Sequence, residues 1–79
     1  MMVKDGKHRR NEEGISTLAN NIKRYRKERN MTMQELANRL DVDYSQISRM
    51  ERGIVNANIS IVFDIANVLE VKASQLLER

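Results

Sequence analysis

Between Thr32 and Gly53 the chain carries two helix starts and a final stop, in a stretch that leaves room only for two short helices meeting at a tight corner. Thr32 followed by Glu35 is a capping box, in which a hydroxyl and a carboxylate satisfy the first free amides of a helix; Asp43 followed by Gln46 repeats the pattern. Leu36, Ala37 and Leu40 then share one face of the first segment, and Ile47 and Met50 one face of the second. Both faces need the same small core. The Asp41-Val42-Asp43 turn must therefore fold the second helix back against the first, and Gly53 is placed to end it with a left-handed cap.

Helical spacing continues on either side. Leu18, Ile22 and Tyr25 fall inward on a first helix expected over residues 16–29, and Asn58 is placed to cap a fourth helix whose stripe is Val62, Ile65, Ala66 and Leu69. A short fifth helix carries Leu76 and Leu77 behind Lys72, which offers no capping oxygen, so it is marginal by itself. Proline is absent, only 3 glycines occur, and no segment alternates with the period of a strand. The expected fold is all-α, a compact five-helix bundle. A chain of 79 residues makes one domain, close to the size at which help from a partner subunit becomes useful. Residues 1–14, with Lys4, Lys7, His8, Arg9 and Arg10 ahead of Glu12, Glu13 and Gly14, read as a flexible basic arm before a domain over 15–79.

Composition excludes several classes of chemistry. With no cysteine and 1 histidine, the chain has no disulfide, no thiol nucleophile and no zinc-finger ligand set. No glycine-rich phosphate loop or nucleophile–base pair is visible, so an enzyme is not expected, nor a metal, cofactor or small-molecule ligand. No secretory segment or long apolar run appears, which implies no membrane contact and a cytoplasmic location. The net charge of +3 matters less than its distribution. Lys23, Arg24, Arg26, Lys27 and Arg29 crowd the first helix against Glu28, whereas Asp64, Glu70 and Glu78 outweigh Lys72 and Arg79 at the other end. The basic end suits a polyanion.

The run from residue 18 to residue 77 resembles the DNA-binding domain of the Cro and phage-repressor type, the Xre-type helix-turn-helix. Leu36-Ala37, the turn, Ile47-Ser48 and Glu51-Arg52-Gly53 stand at that family's spacing, and Ile65-Ala66, Leu69, Val71, Leu76 and Leu77 fit its last two helices. Three positions depart from the usual pattern: Met33 replaces a glutamine, Asp41 a turn glycine and Ala57 a proline. Aspartate tolerates a left-handed backbone, so the turn survives. Met33 loses the side-chain hydrogen bonds of the glutamine and keeps only its backbone amide at a helix N-terminus.

The resemblance implies a prokaryotic, phage or plasmid regulator of transcription that binds double-stranded DNA. The second helix of the motif would lie in the major groove with Tyr44, Ser45, Gln46, Ser48 and Arg49 outward. Arginine can pair with guanine and glutamine with adenine through two hydrogen bonds each. Backbone contacts are assigned to Thr32, Met33, Arg52, Asn56 and Asn58. Arg26 and Glu51 match a pair that the family keeps as a structural ion pair. A homodimer on a palindromic operator is expected, because one domain touches few base pairs. Its interface is placed at Leu69, Val71, Leu76 and Leu77, which look too apolar for a terminal helix to bury alone. The alternative is a protein-interaction domain, an antitoxin-like partner keeping the same fold. Single-stranded or RNA partners fit less well, because only Tyr25, Tyr44 and Phe63 are aromatic, and Tyr25 and Phe63 are expected inward.

Overall fold

The computed structural model describes residues 9–79, so the arm expected over 1–14 lies mostly outside the described residues. Five helices follow in order, α1 (Glu12–Glu28), α2 (Met33–Leu40), α3 (Tyr44–Glu51), α4 (Ile59–Leu69) and α5 (Ala73–Leu76), with no strand among the described residues. The first helix begins earlier than its apolar spacing suggests. Asn11 Oδ1 accepts the Gly14 amide at 2.7 Å, and Glu12 and Glu13 complement the helix dipole in the first turn. Gly14, read from sequence as part of the arm, fits this cap closely: a Cβ there would sit 3.3 Å from Asn11 Oδ1.

The Thr32–Glu35 capping box forms in both directions, at 3.0 Å from the Glu35 amide to Thr32 Oγ1 and 2.8 Å from the Thr32 amide to Glu35 Oε1. The Asp43–Gln46 box does not form. The Gln46 amide instead donates to the Asp43 carbonyl at 3.0 Å, which leaves the Asp43 carboxylate without a capping hydrogen bond. Between the two helices Asp41 adopts φ 57°, ψ 45°, and the Val42 amide reaches back to the Ala37 carbonyl at 3.0 Å. Gly53, at φ 71°, closes α3 in the same left-handed way. Asn58 Oδ1 caps α4 by accepting the Ile61 amide at 3.0 Å.

Every helix contributes to one core: Ile22 from α1, Leu36 and Ala37 from α2, Ile47 and Met50 from α3, Val62, Ile65, Ala66 and Leu69 from α4, and Leu76 from α5. At 0 % exposure, Leu69 and Leu76 are core residues of a single chain and are not available as a dimer interface. The short last helix is held by more than its own turn. The Lys72 amide donates to Gln75 Oε1 at 2.8 Å, and Asn21, buried on α1, donates through Nδ2 to the carbonyls of Leu76 at 2.9 Å and Glu78 at 2.6 Å. Because the segment docks onto α1, Leu76 reaches the core while Val71 is half-buried and Leu77 faces out. Tyr25 is half-buried and Phe63 is exposed, so neither is the buried aromatic expected from the sequence.

Candidate nucleic-acid interface

Helix α3 is divided cleanly into two faces. Ile47, Met50 and Glu51 are buried, whereas Tyr44, Ser45, Gln46 and Arg49 are exposed and Ser48 is half-buried at the boundary. The exposed set lies on the outer side and around the N-terminal turn, the part of a helix that reaches furthest into a groove. Ser45, Gln46 and Arg49 line one wall of an open groove of about 320 Å³, and Asn56 and Asn58 from the α3–α4 loop line the other. The Asp43 carboxylate, which makes no capping hydrogen bond, sits at the same groove and sets a negative charge beside Arg49 and Gln46.

What fixes α3 is an ion pair behind it. Arg26 of α1 donates from Nε to Glu51 Oε2 at 2.6 Å and from Nη2 to Oε1 at 2.8 Å, a fork on both carboxylate oxygens. Its third arm, Nη1, donates to the Met31 carbonyl at 2.8 Å and so also ties down the α1–α2 loop. The two side chains are 10 % and 3 % exposed. The hydrogen bonds to Glu51, followed by the opposite charge, raise the Arg26 pKa further above its ordinary value.

The other assigned residues divide by what they already do. At the start of α2 the Thr32 amide and hydroxyl are both consumed by the capping box, so Met33 and Gln34 carry the amides that lack an intrahelical partner. Hydrogen bonds from the Thr32 backbone and side chain hold the Glu35 carboxyl below the usual carboxylate range. Arg52 is exposed, with Nε 3.4 Å from the Ser48 carbonyl. Asn58 uses only Oδ1 in its cap, which leaves its Nδ2 to donate elsewhere, and Asn56 Nδ2 donates to the Arg9 carbonyl at 3.2 Å.

The basic crowd on α1 is less available than its sequence suggests. Arg24 pairs with Glu28 at 3.2 Å and stacks over Tyr25 at 4.9 Å, Arg26 is paired with Glu51, and Arg29 grips the Glu70 carboxylate at 2.9 Å. Glu51 on α3 and Glu70 at the end of α4 thus take up two of these five charges, which a local count of lysines and arginines does not reveal. Arg10, read from the sequence as part of a flexible arm, bonds Glu12 and the Ile54 carbonyl through its guanidinium; Phe63, read as inward, is exposed, and the exposed Ile59 was not singled out. These two stand at i and i+4 on α4, off the Val62–Ile65–Ala66–Leu69 stripe, and that offset was the available signal.

The pattern of the helix-turn-helix family HTH_3 matches residues 22–76 of this chain, more than half its length. The chain belongs to the helix-turn-helix family. Among solved structures, this helix-turn-helix domain is similar to a hypothetical transcription factor, NHTF, from Neisseria, at 30 % identity and a TM-score of 0.80, covering 87 % of this chain and 80 % of that one. It is also similar to SinR, a master regulator for biofilm formation solved in complex with DNA, at 34 % identity and a TM-score of 0.73, covering 77 % of this chain and 98 % of that one. An HTH_3 regulator from Vibrio cholerae matches at 28 % identity and a TM-score of 0.77, covering 82 % of this chain and 36 % of the longer one. No curated protein matches the chain. The helix-turn-helix domain thus has the all-α fold shared by transcription regulators, and its motif is α2, the Asp41 turn and α3.

Proposed function

We propose that this protein is a regulator of transcription that binds double-stranded DNA sequence-specifically, inserting α3 into the major groove of a palindromic operator as a homodimer. The observation that carries this reading is the two-faced α3: Tyr44, Ser45, Gln46 and Arg49 stand outward from a helix locked in place by the Arg26–Glu51 fork. A reading helix has to be rigid and polar on its outer side, because base-edge hydrogen bonds discriminate only when their geometry is fixed. The similar SinR chain, solved on DNA, supports the same use of the fold. Arg52, the Met33 and Gln34 amides and the α3–α4 loop supply phosphate contacts around it.

Of the interface expected at Leu69, Val71, Leu76 and Leu77, dimerisation keeps only the exposed Leu77 and otherwise runs through neighbouring exposed residues in place of the buried Leu69 and Leu76. Ile59, Phe63 and Leu77 are 62 %, 54 % and 52 % exposed. Ile59 and Leu77, with Ile15 and Leu18, line an apolar groove of about 280 Å³ between α1, α4 and α5. An apolar patch of this kind on a small domain marks an interaction surface. A two-fold pair using it presents one α3 to each half-site, about 34 Å apart on the duplex. Selection of binding sites from random duplex DNA, followed by sedimentation of the complex, tests the proposal. A two-fold symmetric site bound by two chains is expected. A selected pool without sequence bias refutes sequence reading, and one chain per site refutes the dimer.

A further inference from the structure

The end of α3 that leads into a groove carries a carboxylate, the wrong sign of charge for a surface that meets phosphates. Asp43 stands just before the helix with extended backbone, the geometry in which an aspartate ordinarily caps. Its carboxylate makes no capping hydrogen bond, and the Gln46 amide donates to the Asp43 carbonyl at 3.0 Å. The cap therefore does not account for the acid. The side chain is exposed and lines the groove with Ser45, Gln46 and Arg49, the outward residues of α3. Along the helix axis Asp43 lies roughly 9 Å from Arg49, more than the ~3.4 Å between stacked base pairs, so the two address different positions.

We infer that Asp43 is a specificity-determining residue of this interface, its carboxylate selecting the amino group of a cytosine at one position of each half-site and turning away bases that present acceptors there. The inference rests on the DNA-binding function proposed above. An ionised carboxylate offers acceptors only. In the major groove guanine presents N7 and O6 and thymine presents O4, so both set oxygen or nitrogen lone pairs against it. Adenine offers its N6 amino group beside the acceptor N7, and cytosine alone offers a donor with no acceptor on its own edge. The same charge repels the phosphates of every duplex. Asp43 thus weakens binding everywhere and recovers the loss only where the amino group stands, which is how a group that penalises wrong partners produces specificity.

The test selects binding sites from random duplex DNA with the full chain and with its Asp43→Asn variant. Asparagine keeps the shape and replaces one acceptor by a donor, the pattern that matches N6 and N7 of adenine. Cytosine at one position of each half-site is expected for the wild type and adenine at that position for the variant, with every other position kept. Competition between the two duplexes should reverse in rank, by about five-fold or more in each direction. Asp43→Ala should leave no preferred base there and, like Asp43→Asn, should bind a random duplex more tightly than the wild type. Because the carboxylate makes no capping hydrogen bond, both variants fold, which thermal melting checks. A purely structural charge at the start of α3 has the opposite signature: a lowered melting temperature with base preference unchanged. A biased wild-type site that Asp43→Asn leaves intact, or a changed position that is not cytosine in the wild type, overturns the inference and leaves the DNA-binding reading standing. A wild-type pool without sequence bias overturns both.

Discussion

Replacing Arg26 with methionine removes the fork behind α3 and leaves the Glu51 carboxylate buried at 4 % exposure with no cationic partner. Two charge-assisted hydrogen bonds are lost, and the Met31 carbonyl loses its donor as well. Breaking one side of a buried pair costs about 3 to 5 kcal/mol, chiefly because the remaining charge stays desolvated. A domain of this size has a total stability of roughly 4 to 12 kcal/mol, so Arg26→Met takes away a large share of it. Near the melting point each 1 kcal/mol is worth about 4 to 8 °C, so the variant should melt at least ~12 °C lower. The double variant Arg26→Met/Glu51→Leu separates the pair from the packing around it. With no charge left to desolvate, it should recover most of the loss, giving strong non-additivity in a double-mutant cycle. Urea unfolding followed by circular dichroism measures all four proteins. The reasoning fails if Arg26→Met costs no more than the ~1 kcal/mol of an exposed pair, or if the double variant loses the sum of the single losses.

Arg49→Ala should relax base discrimination at one position of each half-site by about 1 to 3 kcal/mol, whereas Arg52→Ala should weaken all duplexes alike; competition binding against single-base operator variants separates them. Leu76→Ala should destabilise folding by about 2 to 5 kcal/mol without changing the oligomeric state of the folded chain, because the side chain fills the core. Phe63→Asp should do the reverse, giving folded monomers by sedimentation, and a folded dimer would remove this face from the interface. Glu35 sets a pH dependence. Its folded pKa is held below the ordinary 4.5, so its contribution is fully present above that value and is lost as the pH falls through the lowered one. The stability difference between wild type and Glu35→Gln should therefore shrink on acidification through this range, and a difference constant with pH would contradict the charged capping box.

Local chemistry was the part of this fold that the sequence made legible. The caps at Thr32 and Asn58, the left-handed stop at Gly53 and the inward Ile47 and Met50 follow from residue types and spacing within one turn. Apart from the Arg26–Glu51 pair, which the family resemblance supplied, what failed was decided by a distant partner. Leu76 looks surplus when α5 is judged alone, and it is core where Asn21, far off in sequence, holds the end of the chain on α1; Leu69 is core as the last residue of the α4 stripe. Periodicity identifies an apolar face but not whether the same chain or another covers it, so the exposure of Ile59 and Phe63 went unseen. Asp43 shows the remaining gap: it occupies the capping position with extended backbone, yet its own carbonyl takes the amide that its carboxylate was expected to take. Of the outward residues on α3, only Ser48 proved less accessible than the helical spacing implies.

The Asn21 clasp carries a consequence for the chemical ageing of the protein. Both acceptors in front of this side chain are carbonyls, those of Leu76 and Glu78, so the amide can face them only with its NH₂ group. Deamidation, the slow hydrolysis to which asparagine is prone, changes the side chain's shape very little. It would nonetheless turn a double donor into a carboxylate, setting negative oxygen against two carbonyl oxygens in a buried site. The last helix would be repelled from α1, and with it the leucine that closes the core. The docking of the last helix in an ageing protein therefore rests in part on a single nitrogen atom, that of Asn21, away from the outward face of α3.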